Sequence, residues 1–277
     1  MGIPSIIGEM TNAVSQSQPK PLRVPLPQLG AGEAFPDVNT RHELSDEMPG
    51  LVAVGGALDV ATLKRAYSQG IFPWFSDGQP ILWWSTDPRM VLKVADFKVQ
   101  PSFKKTLKKF ARGFNGAIDC EVRFDTAFEQ VINACSATPR DGQRGTWIVP
   151  QMVNAYIALH KAGFAHSVET WVNGELVGGL YCVNIGNAVF GESMFSHATD
   201  ASKIALAALV CFCRANGVEM VDCQQNTAHL ASLGAKEMPR SEFVAHVKAR
   251  LETTESQLMP IWQFNPQLWE HILPNKR

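Results

Sequence analysis

The sequence predicts an α+β protein, a mixed β-sheet flanked by helices and preceded by a small α/β N-terminal domain. Three observations carry this. The chain has 277 residues, 45% of them hydrophobic and 18% charged, enough to enclose a core in one or two domains. Between residues 165 and 196, three strand-like stretches follow one another with turn signals between them. A long helical pattern then leads to one more strand pattern, and strand, helix, strand within one sheet makes a parallel crossover pair.

Each element has a local reason. Residues 1–30 contain "SQSQPKPLRVPLPQLG" and read as a flexible leader, since such a segment buries little. A first compact unit begins near Phe35. "GLVAVGGAL" reads as a short strand and a Gly-rich turn. Asp59 can cap the helix "VATLKRAYSQ", and Gly70 can end it. "IFPWF" is a loop around Pro73, followed by "PILWWSTDPRMVL". In "SFKKTLKKFAR", Phe103, Leu107 and Phe110 recur at i, i+4 and i+7 and face the core. "GTWIVPQMVNAYIALHKAG" reads as a lead-in loop and a helix from about Pro150, ended by Gly163. "AHSVETWV" turns at Asn173–Gly174, a strong hairpin signal, into "ELVGGLYCVNI". That strand turns near Gly186–Asn187 into "AVFGESMF". The helix "DASKIALAALVCFCRAN" ends at Gly217. The strand "VEMVDCQ", a short helix "AHLASLG" and the helix "SEFVAHVKARLE" complete the order.

Composition narrows the function. The net charge of -1 gives no global basic field, so any nucleic-acid contact has to be local. One local feature stands out. Lys104, Lys105, Lys108, Lys109 and Arg112 cover the polar sides of one helix with no acidic residue among them, a candidate phosphate-binding face. No apolar run approaches the roughly 20 residues of a membrane span. "MGIPSIIGEM" lacks a basic leader before an apolar stretch, so no secretory signal is expected. The six cysteines form no C-x-x-C and none sits at zinc-like spacing from a histidine; a reduced, cytoplasmic protein with packing cysteines and no metal is expected.

The strings "GIFPWF", "PILWWSTDPR", "GTWI", "ELVGGLY", "FGESMFS", "ASKIAL", "VDCQ" and "HLASLGA" occur in this order. Together they resemble the leucyl/phenylalanyl-tRNA–protein transferases, from about Phe35 to about Val247. The resemblance implies a small N-terminal domain, expected over 31–88, and a larger GCN5-related acyltransferase-like C-terminal domain with a tail over 89–277. It implies an enzyme that moves Leu, Phe or less often Met from aminoacyl-tRNA to the α-amine of proteins beginning with Arg or Lys. The product would enter an N-degron degradation pathway. No cofactor or membrane partner is implied, and a monomer is expected. The chain departs from the family pattern at Ala57, where Asp is expected, and at Cys182, where Gly is expected.

Candidate site residues follow from these strings. In a regular strand, Asp222 and Gln224 share one face and Cys223 takes the other. Asp222 can accept a proton or orient a partner, and Gln224 can bond the amine or the ester carbonyl, although an amide is a poor base. These two are the catalytic candidates. On a regular strand Glu192 shares a face with Phe190 and Met194, and it can orient a site residue, meet the cationic acceptor or form an internal ion pair. Trp74 and Trp147 either stack on the terminal adenosine or belong to the core. Leu180, Leu206, Leu209 and Val221 are expected to line the side-chain pocket. A Cys–His acyl-enzyme using Cys223 with His166 or His229 is disfavoured, because the adjacent carboxylate raises the thiol pKa. An acetyl-CoA acyltransferase would need a Gly/Arg-rich pyrophosphate loop, which "FSHATDASK" does not supply. A non-catalytic RNA-binding module would keep the basic helix without needing Asp222 or Gln224.

Overall fold

The computed structural model describes residues 24–116, 118–138, 148–251 and 261–273. The expected leader lies outside these up to residue 23, and Trp147 lies outside them too.

A four-stranded sheet is built from β1 (Gln28–Leu29), β2 (Leu51–Gly55), β3 (Phe72–Pro73) and β4 (Leu82–Trp84), in the order β1-β2-β4-β3. The end of the segment expected as leader is part of this sheet, because β1 runs parallel to β2. Helix α1 (Val60–Tyr67) starts where expected: the Asp59 carboxylate accepts the Thr62 N–H at 2.7 Å.

A seven-stranded sheet follows. Its strands are β5 (Arg89–Lys93), β6 (Cys120–Phe124), β7 (Ala165–Val172), β8 (Glu175–Ile185), β9 (Ala188–Ser196), β10 (Met220–Gln224) and β11 (Lys236–Met238). Their order is β11-β5-β10-β9-β8-β7-β6. All neighbours are antiparallel except β9 and β10. The crossover between that parallel pair is α6 (Ala201–Ala215), as the strand, helix, strand pattern requires. Gly178 on β8 makes the close approach of α6 possible: a Cβ there would come within 2.5 Å of the Ala201 Cβ.

Helices cover both faces. On one side α1, α4 (Phe128–Ala137), α5 (Pro150–Lys161) and α8 (Arg240–Leu251) share a core with the four-stranded sheet. On the other, α2 (Pro101–Ala111) and α6 pack with the C-terminal segment around Trp262 and Trp269. Phe103, Leu107 and Phe110 are the buried stripe of α2. A short α3 (Gly113–Gly116) follows it, and α7 (Ala228–Ser232) follows β10. Strands β6 and β11 and helix α4 are additional to the expected elements. β6 and β11 are the two edges of the sheet; "CEVRF" alternates apolar and polar residues and carries a strand signal that sequence reasoning missed, whereas "KEM" is too short to signal one.

Two irregularities set the faces near the chain's parallel pair. Between β8 and β9, Tyr181 pairs with Ser193 and Cys182 with Gly191, which leaves Glu192 as an inserted residue. Between β5 and β10, Val91 pairs with Asp222 and Met90 with Gln224, which leaves Cys223 inserted. Both are β-bulges, which break the two-residue alternation. So Phe190 and Met194, expected on one face, lie in opposite cores.

Candidate active site

The site forms where β9 and β10 part. The pair is joined at Val221↔Val189 and Asp222↔Phe190. Beyond that, toward Glu192 and Gln224, the strands diverge and a cavity of ≈ 300 Å³ opens. Leu180 from β8, Met194 from β9, Leu206 and Leu209 from α6, and Val221 and Cys223 from β10 form its apolar wall. Gly191, Glu192 and Gln224 form its polar end, and Thr227, His229 and Leu230 border it from the α7 side. All four residues expected as pocket lining are therefore brought together. Leu206 and Leu209, at i and i+3 on α6, present one helix face to the cavity.

Asp222 also borders the cavity, but its carboxylate is turned to Arg89. Its Oδ1 accepts from Arg89 Nε and its Oδ2 from Arg89 Nη2, both at 2.7 Å. This pair is essentially sealed from water, with side-chain exposures of 0% and 1%. Arg89 also donates through Nη1 to the Gly70 carbonyl at 3.1 Å and lies against the rings of Phe72 and Phe243. A buried guanidinium that takes both carboxylate oxygens makes Asp222 a fixed anchor. The anchor has a second effect: Asp222 Oδ1 accepts the Gln224 backbone N–H at 3.0 Å. Gln224 sits at φ 54°, in the left-handed region. The Thr86 hydroxyl donates to its carbonyl at 2.8 Å and helps hold it there.

The Gln224 side chain spans the parted strands. Its Nε2 donates to the Gly191 carbonyl at 2.7 Å and reaches Glu192 Oε1 at 3.4 Å. Since a carbonyl only accepts, the nitrogen end of the amide faces β9. Glu192 is further bound by two phenols. The Tyr67 hydroxyl donates to its Oε1 at 2.6 Å, the Tyr156 hydroxyl lies 3.2 Å from its Oε2, and the two hydroxyls hydrogen-bond each other, so the three groups share their protons in one network. The Glu192 carboxyl is pushed up to about 8, chiefly by its removal from water. The Asp222 charge pushes the same way, while the Tyr67 and Tyr156 hydroxyls and Arg89 oppose it. Burial and the nearby Glu192 charge raise both phenols.

The expected grouping of side chains needs correction. Regular alternation would join Asp222 with Gln224 and set Cys223 behind them. Cys223 does share the α6 face with Val221, and the Asp222 carboxylate turns to Arg89 in the opposite layer, as alternation requires; what changes is that Cys223 lines the cavity together with Gln224. The Cys223 thiol is raised by burial first and by the Asp222 charge second, so it is a poor nucleophile. His166 is elsewhere, bonded to Asp125 at 2.7 Å and stacked on Trp262. Trp74 is half-buried beside Trp84 and is not part of the cavity wall. Lys104, Lys105, Lys108, Lys109 and Arg112 are all exposed on α2. Sequence reasoning missed Arg89, Tyr67 and Tyr156. A charge inside the apolar strand "RMVL" was the available signal for Arg89; the tyrosines read as ordinary helix-face aromatics.

Fold and site together define the class: an α+β enzyme with an apolar substrate pocket that ends at an enclosed carboxyl and an anchored amide. The family can be stated as well. Residues 91–248 match the family described as Leucyl/phenylalanyl-tRNA protein transferase, and residues 56–87 match its N-terminal domain. The chain belongs to this family. It is 60% identical over 249 residues to the Leucyl/phenylalanyl-tRNA–protein transferase of Polaromonas sp., covering 90% of this chain and 94% of that one. The corresponding protein of Albidiferax ferrireducens is 57% identical, over 90% of this chain and 95% of its own. That of Leptothrix cholodnii is 53% identical, over 89% and 94%. Among solved structures, L-PGS from Bacillus licheniformis aligns over 81% of this chain and 73% of its own, at 12% identity and a TM-score of 0.33, too remote to bear on the reading. No helix among the described residues is long and apolar enough to cross a membrane.

Proposed function

We propose that this chain moves Leu or Phe, and less readily Met, from aminoacyl-tRNA to the N-terminal α-amine of proteins beginning with Arg or Lys. It acts as a cytoplasmic monomer without a cofactor, and its products are marked for N-degron degradation. The observation that carries this is the cavity, whose apolar wall ends at Glu192 and Gln224. A volume of ≈ 300 Å³ is at the small end for ligand pockets and suits one Leu or Phe side chain with its ester.

The aminoacyl side chain lies against Leu180, Leu206, Leu209 and Val221, with its ester carbonyl at the parted ends of β9 and β10. The acceptor amine arrives beside Glu192. Its nitrogen attacks the ester carbonyl carbon, the carbon–oxygen bond to ribose breaks, and one amine proton ends on the ribose oxygen. Ester to amide is downhill, so no ATP is needed. A free α-amine has a pKa of about 7.7–8.0, so a useful fraction is already neutral. Placing the two substrates supplies roughly 7–11 kcal/mol; a general base adds about 10²–10⁴-fold. Gln224 Oε1, left free for substrate because Nε2 is used by Gly191, accepts from the amine N–H. Glu192, near 8, is poised to hold the departing amine proton, since an acid–base group works best near the operating pH. Asp222 is a positioning residue here: it fixes Gln224 and is itself fixed by Arg89. Trp74 and Trp147 stack on the terminal adenosine, and Lys104, Lys105, Lys108, Lys109 and Arg112 meet phosphates of the donor.

The architecture is read as GCN5-related, supported by the parallel pair that parts around the cavity. The division into domains at 31–88 and 89–277 is supported by the separation of the two sheets between Trp84 and Arg89. The test uses purified protein, radiolabelled Leu-tRNA and an acceptor beginning with Arg. Label in the acceptor is the expected result. Transfer from acetyl-CoA instead, or tRNA binding with no transfer, would overturn the reading in favour of another acyltransferase or an RNA-binding module.

A further inference from the structure

We propose that Lys203 and His229 form a subsite at the mouth of the cavity for the phosphodiester next to the donor's terminal nucleoside. The donor's 3′ end is then registered by its backbone as well as by its aminoacyl group. This rests on the donor reading given above.

The placement follows from α6. Lys203 precedes Leu206 by three residues, which puts it on the same helix face about one turn, roughly 4.5 Å, toward the N-terminus. Leu206 lines the cavity, and Lys203, outside that lining, lies one turn beyond it on the same helix face. Lys203 Nζ bonds Asp200 Oδ1 at 2.9 Å and lies 6.0 Å from the Phe103 ring of α2. It therefore sits between the cavity and the helix that carries the exposed lysines. Across the rim is His229, on α7, whose first turn is held by the Thr227 hydroxyl accepting the Leu230 N–H at 3.2 Å. His229 itself lines the cavity. Burial first, and the Lys203 charge second, make its imidazole harder to protonate.

Neither side-chain recognition nor amine attack uses a cation at this rim. A nucleic-acid 3′ end does, because the ester bearing the aminoacyl group is only a ribose away from a phosphodiester. Asp200 takes one of the three Lys203 donors and leaves two. A phosphodiester oxygen between Lys203 and His229 would accept charge-assisted hydrogen bonds and offset the repulsion that protonated His229 feels from Lys203.

Two small donors separate this from a structural role: the leucyl ester of adenosine, which has no phosphate, and the leucyl ester of cytidylyl-(3′→5′)-adenosine, which has the one in question. Lys203→Ala should raise KM for the dinucleotide donor about tenfold, the size of one charge-assisted hydrogen bond. KM for the adenosine donor and both kcat values should stay put. Lys203→Arg should restore the dinucleotide KM, and His229→Gln should raise it less than Lys203→Ala does. With full aminoacyl-tRNA, Lys203→Ala should reduce the salt slope of binding by about 1. Equal KM increases for both donors would mean the rim is merely structural, and no increase for either would mean no phosphate is bound; each overturns the proposal. Failure of the unaltered protein to use either donor, or aminoacyl-tRNA, would instead overturn the donor reading itself.

Discussion

Replacing Arg89 with Met leaves the Asp222 carboxylate, 1% exposed, without the guanidinium that meets both of its oxygens at 2.7 Å. Removing one partner of such a buried pair costs about 3–5 kcal/mol, because the other charge stays buried. Contacts of Arg89 with Phe72 and Phe243, at 4.8 and 4.5 Å, add about 0.5–2 kcal/mol, part of which the methionine side chain replaces. At about 2–4 °C per kcal/mol for a chain of this size, loss of the ion pair alone should lower the melting temperature by about 6–20 °C. The second perturbation is Arg89→Met with Asp222→Leu, which removes both charges. It should recover most of the stability, giving a coupling of about 3 kcal/mol in a double-mutant cycle. Transfer activity should not recover, because Asp222 Oδ1 no longer holds the Gln224 N–H. Urea unfolding followed by tryptophan fluorescence gives the stabilities, and labelled Leu transfer gives the activity. A loss below about 1 kcal/mol in Arg89→Met would match an exposed pair and refute the anchor. Full activity in the double variant would refute the positioning role of Asp222.

Glu192 keeps its proton up to about 8, whereas an unfolded chain releases it near about 4.3. Between those values the folded chain binds the extra proton, so this group's contribution to stability falls as pH rises. Glu192→Gln should remove a slope of at most about 1.4 kcal/mol per pH unit; identical urea midpoints across that range for both proteins would contradict the assignment. Gly178→Val should destabilise by about 1–3 kcal/mol through overpacking, because a Cβ at that position meets the Ala201 Cβ at 2.5 Å; a neutral effect in thermal unfolding would show that α6 can move away. Cys223→Ala should keep turnover within about threefold, since a buried thiol with raised pKa is no nucleophile, and a well-folded but inactive variant would mean a covalent step. Changing Lys104, Lys105, Lys108 and Lys109 to Glu should weaken tRNA binding and flatten its salt dependence; unchanged affinity in a filter-binding titration would make α2 an ordinary solvated helix.

Much of the candidate site was legible because it depends on local periodicity. Leu206 and Leu209 follow from a helix that is apolar on nearly every side, and Leu180 and Val221 follow from buried strands. The elements around them were readable from Asp59, Asn173–Gly174 and the glycines that end helices. Edge strand β11 was not, because "KEM" is only three residues long, while β6 was missed although "CEVRF" has a strand's alternation. Face assignment failed at Met194 and Gln224 for one shared reason. Each comes after an inserted residue, Glu192 or Cys223, in a bulge, and "GESM" or "VDCQ" contains no residue type that demands one.

The chain order from α5 through β7, β8, β9, α6 and β10, the parallel crossover through α6, the apolar character of the pocket and the family resemblance were determined by the sequence itself, because turn chemistry and hydrophobic period act over a few residues. Only the tertiary structure decided what Asp222 and Glu192 touch. Arg89 reaches Asp222 across 133 residues of chain, and Tyr67 reaches Glu192 across 125. Those meetings depend on β5 lying beside β10 and on α1 packing under β9. No local pattern encodes which neighbour a sheet or helix will take. The same neighbours convert Asp222 from a candidate base into a fixed anchor, and they place Glu192 where removal from water raises its proton affinity.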